Sequence, residues 1–141
     1  MSYCQAEREY YRLTALAAIL LIRHMRQADV VMPAGSDAPV RPFHVYGYAL
    51  HEELREFVGD MGFSPYQALE AVNRINAEWM GIQNSVGTVV VGKVADLILI
   101  RKNPLKNLRR LQNLDGIMVH GRWLSGSDLK QRLSELENKF R

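Results

Sequence analysis

The hydrophobic period of the sequence changes at Gly81, and this change limits the folds that the chain can adopt. Before Gly81, apolar residues recur at three- and four-residue spacing, which is the pattern of helices that bury one face. After Gly81, short β-branched runs alternate with turn residues, which is typical of a small antiparallel sheet. The sequence therefore predicts an α/β protein. Its 141 residues are too few for a complete eight-stranded β/α barrel, which takes about 250.

Three helices are predicted before the change of period. The first extends from about Ala6 to Gln27, and its apolar face leads us to expect a mostly buried helix. The second extends from Leu50 to about Met61. The third runs from Pro65 to about Trp79, because Ser64–Gln67 combines an N-cap serine, a proline at the first helical position and a capping-box glutamine. Gly81 is well placed to end this helix.

Short strands are predicted wherever β-branched runs are bounded by turn residues. They are Asp29–Met32, Thr88–Val91, Ala95–Ile100, Ile117–Val119 and Arg122–Leu124. The pair His120 and Gly121 suits the tight turn of a hairpin between the last two strands. A final helix is predicted to begin at a Ser127 cap and to carry one apolar stripe on an otherwise charged surface.

Charge, cysteine content and hydropathy exclude several classes of protein. The formal net charge is +3, and much of the excess lies in Arg101–Arg110 without interleaved aromatic residues, so we interpret it as a solvated basic loop and expect no nucleic-acid partner. Cys4 is the only cysteine, which permits no internal disulfide and fits a reducing cytoplasm. The longest apolar run, Leu13–Ile22, has ten residues, whereas a membrane span needs about 20. We therefore expect a cytoplasmic protein without a membrane partner.

Asp37 is the main candidate for a functional residue. It lies in the turn sequence Gly35–Pro39, directly after the predicted strand, and an acidic side chain at the carboxyl end of such a strand lies where α/β proteins bind ligands. The structural alternative is an aspartate that hydrogen-bonds its own backbone in a turn. His44 and His51 are candidates to approach Asp37, and the alternative for both is a partly buried, hydrogen-bonded histidine.

Several segments together resemble the C-terminal part of a metal-dependent amidohydrolase of the imidazolonepropionase and prolidase type. The matching segments are Val30–Val40, Leu50–Leu54, Met61–Gly81, Gly87–Ile100, Asn103–Leu105 and Ile117–Trp123. Their order and spacing match as well, and the Gly-Lys-x-Ala-Asp-Leu core at Gly92–Leu97 is specific in this context. The resemblance covers about residues 15 to 124.

The resemblance implies an architecture in pieces. Residues 1–86 would be the last helices and last strand of a TIM barrel, residues 87–126 part of a small β-sandwich, and residues 127–141 a C-terminal amphipathic helix. The sandwich is normally completed by strands from the N-terminal end of the full protein. We therefore expect the partner of this chain to be the missing N-terminal barrel segment or a second copy of the chain.

The resemblance also implies a chemistry. The family hydrolyses carbon–nitrogen bonds in amides, cyclic amides, amidines and dipeptides, and its metal, usually zinc, lowers the pKa of a bound water. By resemblance, Asp37 would ligate the metal and accept the proton of that water, while His44 and His51 would face the small-molecule substrate. Gly92–Asp96 would have a structural role in a β-turn.

Activity of the chain by itself is not expected. The other ligands of the family come from a His-x-His pair and from histidines on two middle barrel strands, and none of the four histidines here occupies such a position. A catalytic zinc takes three protein ligands and a water, so Asp37 alone does not hold one. We expect the isolated chain to be inactive and to bind no metal. The alternative hypothesis is a non-catalytic folding or interaction module derived from an amidohydrolase.

Overall fold

The computed structural model describes residues 3–38 and 45–140 of the chain. The chain divides into two compact units, Met1–Ala71 and Val72–Arg141. The first unit is helical, and the second contains a small antiparallel sheet.

The helices of the first unit lie where the apolar period predicts them. They are α1 (Tyr3–Gln27), α2 (Tyr48–Gly59) and α3 (Pro65–Glu70). The capping box of α3 is confirmed, because Ser64 Oγ accepts the Gln67 N–H at 3.2 Å and Gln67 Oε1 accepts the Ser64 N–H at 2.9 Å.

The core of the first unit is small. Its α2 helix buries Ala49, Leu54 and Phe57, and the Phe57 ring stacks on Phe63 with centroids 4.8 Å apart. Within the described ranges, no helix has both the length and the apolar content needed to cross a membrane.

Two expectations for the first unit are wrong. The α1 helix is not mostly buried, because Ile19, Ile22, Met25 and Arg26 are half-buried and its other described side chains are exposed. Residues 29–32 form no strand. Both differences have one cause: an apolar face needs an opposing surface and a strand needs a neighbouring strand, and the described part of this unit offers only helices.

The helical run that begins with α3 continues through a π-helical turn, Ala71–Ile75, into α4 (Asn76–Trp79). Gly81 ends this run as predicted, in a left-handed conformation with φ 73°. The Ile82 N–H donates to the Ala77 carbonyl oxygen at 2.9 Å and the Gly81 N–H to the Glu78 carbonyl oxygen at 3.1 Å. This pair of bonds is the Schellman motif that satisfies the last carbonyls of a helix.

The sheet of the second unit has three antiparallel strands in the order β1-β2-β3. They are β1 (Leu97–Ile100), β2 (Leu114–Val119) and β3 (Arg122–Ser125). The predicted hairpin turn at His120 and Gly121 is confirmed. The Trp123 ring lies over Gly116, so a side chain at residue 116 would overlap the indole. Two short 3₁₀ helices, Pro104–Lys106 and Leu108–Gln112, connect β1 to β2.

The last helix, α5 (Gly126–Lys139), packs against β2 and β3. Its N-cap is Ser125 rather than the predicted Ser127, because Asp128 stands three residues after Ser125 and completes a capping box. Ser125 Oγ accepts the Asp128 N–H at 3.2 Å, and Asp128 Oδ2 accepts the Ser125 N–H at 3.1 Å.

The predicted strand Thr88–Val91 is also absent, and these residues form a loop with exposed valines. The loop is fixed by Lys93, whose Nζ donates to the carbonyl oxygens of Gln83 at 2.5 Å and Val86 at 3.4 Å and to Thr88 Oγ1 at 2.6 Å. β-branched residues favour strands only where a neighbouring strand accepts them. Here the loop is held by the hydrogen bonds of Lys93 and not by a neighbouring strand.

The Gly-Lys-x-Ala-Asp segment thus organises the loops of the second unit. Besides the contacts of Lys93, Asp96 Oδ1 accepts the His120 N–H at 2.5 Å, and the Gly121 N–H donates to the Ala95 carbonyl oxygen at 3.1 Å. These contacts support the structural interpretation of the segment.

We expect Lys93→Met to release the loop that precedes it, because the apolar chain keeps its length and loses all three donated hydrogen bonds. Hydrogen bonds from a charged group are worth about 1.5–3 kcal/mol, so amide exchange at Val94, whose N–H donates to the Ser85 carbonyl oxygen, should accelerate at least about tenfold. The control is Lys102→Met, which replaces an exposed lysine in the same unit. Unchanged exchange at Val94 in the Lys93 variant would contradict this role.

Candidate active site

A hydrogen bond attaches the turn that carries Asp37 to α2. The Gly35 N–H donates to Glu53 Oε1 at 2.7 Å, across 18 residues of sequence. Two residues after Gly35, Asp37 takes a left-handed conformation with φ 51°. This conformation costs a non-glycine residue about 1–2 kcal/mol and persists where the surroundings hold it.

Asp37 lies on the wall of a cavity of about 450 Å³ in the first unit. One side of the cavity is apolar and is formed by α1 through Ala15, Ala18, Ile19 and Ile22. The other side carries carboxylates, which are Asp37, Glu52, Glu53, Glu56 and Asp60. Among the described residues that line this cavity there is no lysine, arginine or histidine, and Arg55, outside the lining, pairs with Glu52 at 3.7 Å.

Glu53 is the carboxylate of this wall that contacts the Asp37 turn. Burial raises its pKa above 4.5, the neighbouring charge of Glu56 adds to the rise, and the bond from the Gly35 N–H opposes it. Its Oε2 atom is buried and accepts no hydrogen bond from the part of the chain that the structure describes. Glu53 thus has one oxygen engaged with the Asp37 turn and one without a donor.

Asp37, His44 and His51 are the site residues predicted from the sequence, and the structure gives each a different outcome. Asp37 is exposed on the cavity wall. His51 is half-buried on α2 with its ring 6.2 Å from that of Tyr48, and it does not line the cavity. His44 lies outside the described residues.

Sequence reasoning missed Glu53. The signal that could have found it is the helical spacing of Glu53, Glu56 and Asp60 on the α2 segment, three and four residues apart. This spacing places three carboxylates on one helix face, next to the apolar positions that pack inward.

The described residues do not fit a catalytic metal by themselves. Zinc in hydrolases takes three protein ligands and a water. Over residues 3–38 and 45–140, no three side chains of histidine, cysteine, aspartate or glutamate are grouped so that they could hold a metal ion.

Residues 8–113 match the sequence model of the Amidohydrolase family. The chain belongs to this family. None of the curated protein sequences compared with it matches.

Solved structures support the same family. A Bifidobacterium longum protein described as a prolidase is 31% identical, with a TM-score of 0.67 over 81% of this chain and 29% of its own. A Xaa-Pro dipeptidase with methionine bound in its active site is 25% identical, with a TM-score of 0.67 over 77% of this chain and 25% of its own. An amidohydrolase is 26% identical, with a TM-score of 0.59 over 76% of this chain and 25% of its own. The chain therefore spans between a quarter and a third of the length of these amidohydrolases.

We expect stability of the first unit to fall as pH rises, because of Glu53. A carboxyl group whose pKa is raised by folding contributes fully below its unfolded-state pKa, about 4.5, and this contribution is lost as pH rises through the folded-state value. Glu53→Gln keeps an acceptor for the Gly35 N–H and removes the charge. The protection of α2 amides against hydrogen exchange, corrected for intrinsic rates, should therefore decline less between about pH 4 and 7 in this variant.

The matched control is Glu7→Gln, which neutralises an exposed carboxylate on α1. It should keep the pH dependence of the natural chain. If Glu53→Gln and the natural chain decline equally, burial does not perturb Glu53.

Proposed function

We propose that this chain is the C-terminal part of a metal-dependent hydrolase that cleaves a carbon–nitrogen bond in an amide, cyclic amide or amidine. The observation that carries the proposal is the position of Asp37, on a cavity wall, in a chain of the Amidohydrolase family. Dipeptides with a C-terminal proline are the first substrates to test, because a Xaa-Pro dipeptidase is among the similar structures.

In this proposal Asp37 acts through its carboxylate, which accepts the proton of the attacking water. That role needs an ionised group within hydrogen-bond reach of the water, and the exposure of Asp37 at the cavity allows water to approach it. Asp37 would also be one ligand of a divalent metal such as zinc, with the other ligands supplied by polypeptide outside the described residues. His44 and His51 remain predicted substrate contacts.

We further propose that residues 1–86 correspond to the end of a β/α barrel and residues 87–126 to part of its small sandwich. The accessible surface of the chain supports this. Large apolar side chains are exposed in both units, among them Leu16 and Leu20 on α1 and Ile98 on β1, as expected of elements that pack against other parts of a larger protein.

The sheet of the second unit indicates what kind of partner would cover part of this surface. Within the described residues the β1 strand pairs with β2 on one side only, and Leu97, Ile98 and Leu99 are exposed on its alternating faces. An exposed apolar strand at a sheet edge is a template for pairing with another strand. We propose that strands of an N-terminal barrel segment, on the same or another polypeptide, occupy this position.

The DNA directly upstream of the coding sequence provides the test. We expect a reading frame there that encodes a His-x-His pair and two further histidines. Its product, co-expressed with this chain, should co-purify with it, bind zinc and hydrolyse Xaa-Pro dipeptides or related amides. Asp37→Asn should keep the complex together and lower kcat by at least about 100-fold, the scale of losing a general base.

Two comparisons complete the experiment. The isolated chain should bind less than one zinc per chain, and stoichiometric zinc that is lost in Asp37→Ala would contradict a shared metal site. Unrelated upstream sequence, or full activity of Asp37→Asn in the complex, would contradict the proposal and favour a non-catalytic module.

A further inference from the structure

We infer that Glu53 is a positioning residue for Asp37: its carboxylate fixes the Gly35–Asp37 turn to α2 and thereby holds the Asp37 side chain in one orientation. The functional importance of Asp37 rests on the proposed function, whereas the contact between Gly35 and Glu53 is present in the structure. The bond from the Gly35 N–H to Glu53 Oε1, at 2.7 Å, is the direct connection.

The conformation of Asp37 is consistent with a turn held by contacts of this kind. Residues 30–37 form neither helix nor strand, so regular backbone pairing does not hold the turn in place. Asp37 adopts φ 51°, a left-handed conformation that costs most L residues free energy and that aspartate tolerates better than most, so contacts on the same turn help to hold it. The bond to Gly35 acts two residues before Asp37, on the same turn.

The properties of Glu53 fit this role. It lies in the middle of α2, whose buried residues are Ala49, Leu54 and Phe57, so its backbone is held by packing. A half-buried carboxylate with one unsatisfied oxygen is costly, and in a native structure such a group calls for a specific reason. The hydrogen bond that the other oxygen, Oε1, accepts from Gly35 gives such a reason, because it holds the turn that carries Asp37.

The turn uses the backbone N–H of Gly35 and does not depend on the absence of a side chain there. Its φ is not in the left-handed region, and a Cβ built on it would meet no heavy atom within 4 Å. An alanine at residue 35 would therefore fit and would keep the donor.

The test is hydrogen exchange at single amides of the full chain, read by NMR. In the natural chain the Gly35 amide should exchange at least about tenfold more slowly than in an unstructured peptide, the scale of one net hydrogen bond. Glu53→Ala should bring this rate to within about twofold of the peptide value and shift the ¹³Cγ resonance of Asp37. Glu53→Gln, which keeps the acceptor, should restore both the protection and the resonance.

Two matched variants separate this role from general stability. Glu52→Ala removes the neighbouring carboxylate of the same cavity and should change neither readout. Gly35→Ala should keep the protection at residue 35. These measurements need no metal and no turnover, so they stand or fall separately from the hydrolase assignment.

The inference is overturned if the Gly35 amide of the natural chain exchanges at the free-peptide rate, which requires no variant at all. It is also overturned if Glu53→Ala leaves the protection intact, or if Glu53→Gln fails to restore it in a chain whose α2 amides remain protected.

Discussion

An apolar surface is stable in water only when another surface covers it, and this chain carries more such surface than its two units cover. The exposed faces of α1, the exposed side chains of β1 and the valines before Lys93 all reflect this constraint. Each of these elements has the residue pattern of a buried one. The proposed function explains them together, as surfaces that would face other parts of a larger hydrolase.

The candidate active site depends on the same constraint. Asp37 follows an extended segment that in a complete barrel would be fixed by neighbouring strands. In this chain it is attached through the Gly35–Glu53 hydrogen bond to α2, the helix with the most buried side chains of the first unit. The packing of Leu54 and Phe57 thus indirectly determines where the Asp37 carboxylate lies. In the proposed function Asp37 is one metal ligand on the wall of the cavity beside it, and the other donors would come from polypeptide outside the described residues.

Local sequence signals predicted local structure well. The Ser64 capping box, the Gly81 terminator and the His120–Gly121 hairpin each depend on a few adjacent residues, and each is present in the structure. Predictions that depend on a distant surface failed. Residues 29–32 and Thr88–Val91 have strand-forming sequences, but a strand also requires a neighbour, and none is provided in the described part of the chain.

The candidate site shows the same difference between local sequence signals and contacts with distant residues. Asp37 was found from its position after an apolar segment and from the motifs that accompany it. The carboxylate spacing on the α2 segment marks the helix face that carries Glu53, but it does not encode the hydrogen bond from Glu53 to a residue 18 positions earlier. The sequence motifs therefore indicate Asp37 directly, but they do not indicate the hydrogen bond that holds its turn.

The central claim is that the uncovered surfaces belong to the interior of a larger enzyme, and the mass of the isolated chain in solution tests it most directly. Light scattering after size-exclusion chromatography should show oligomers or aggregates rather than a single species of 16.1 kDa. A monodisperse 16.1 kDa species that unfolds in one cooperative transition would contradict the claim, because it would mean that the chain closes its own core.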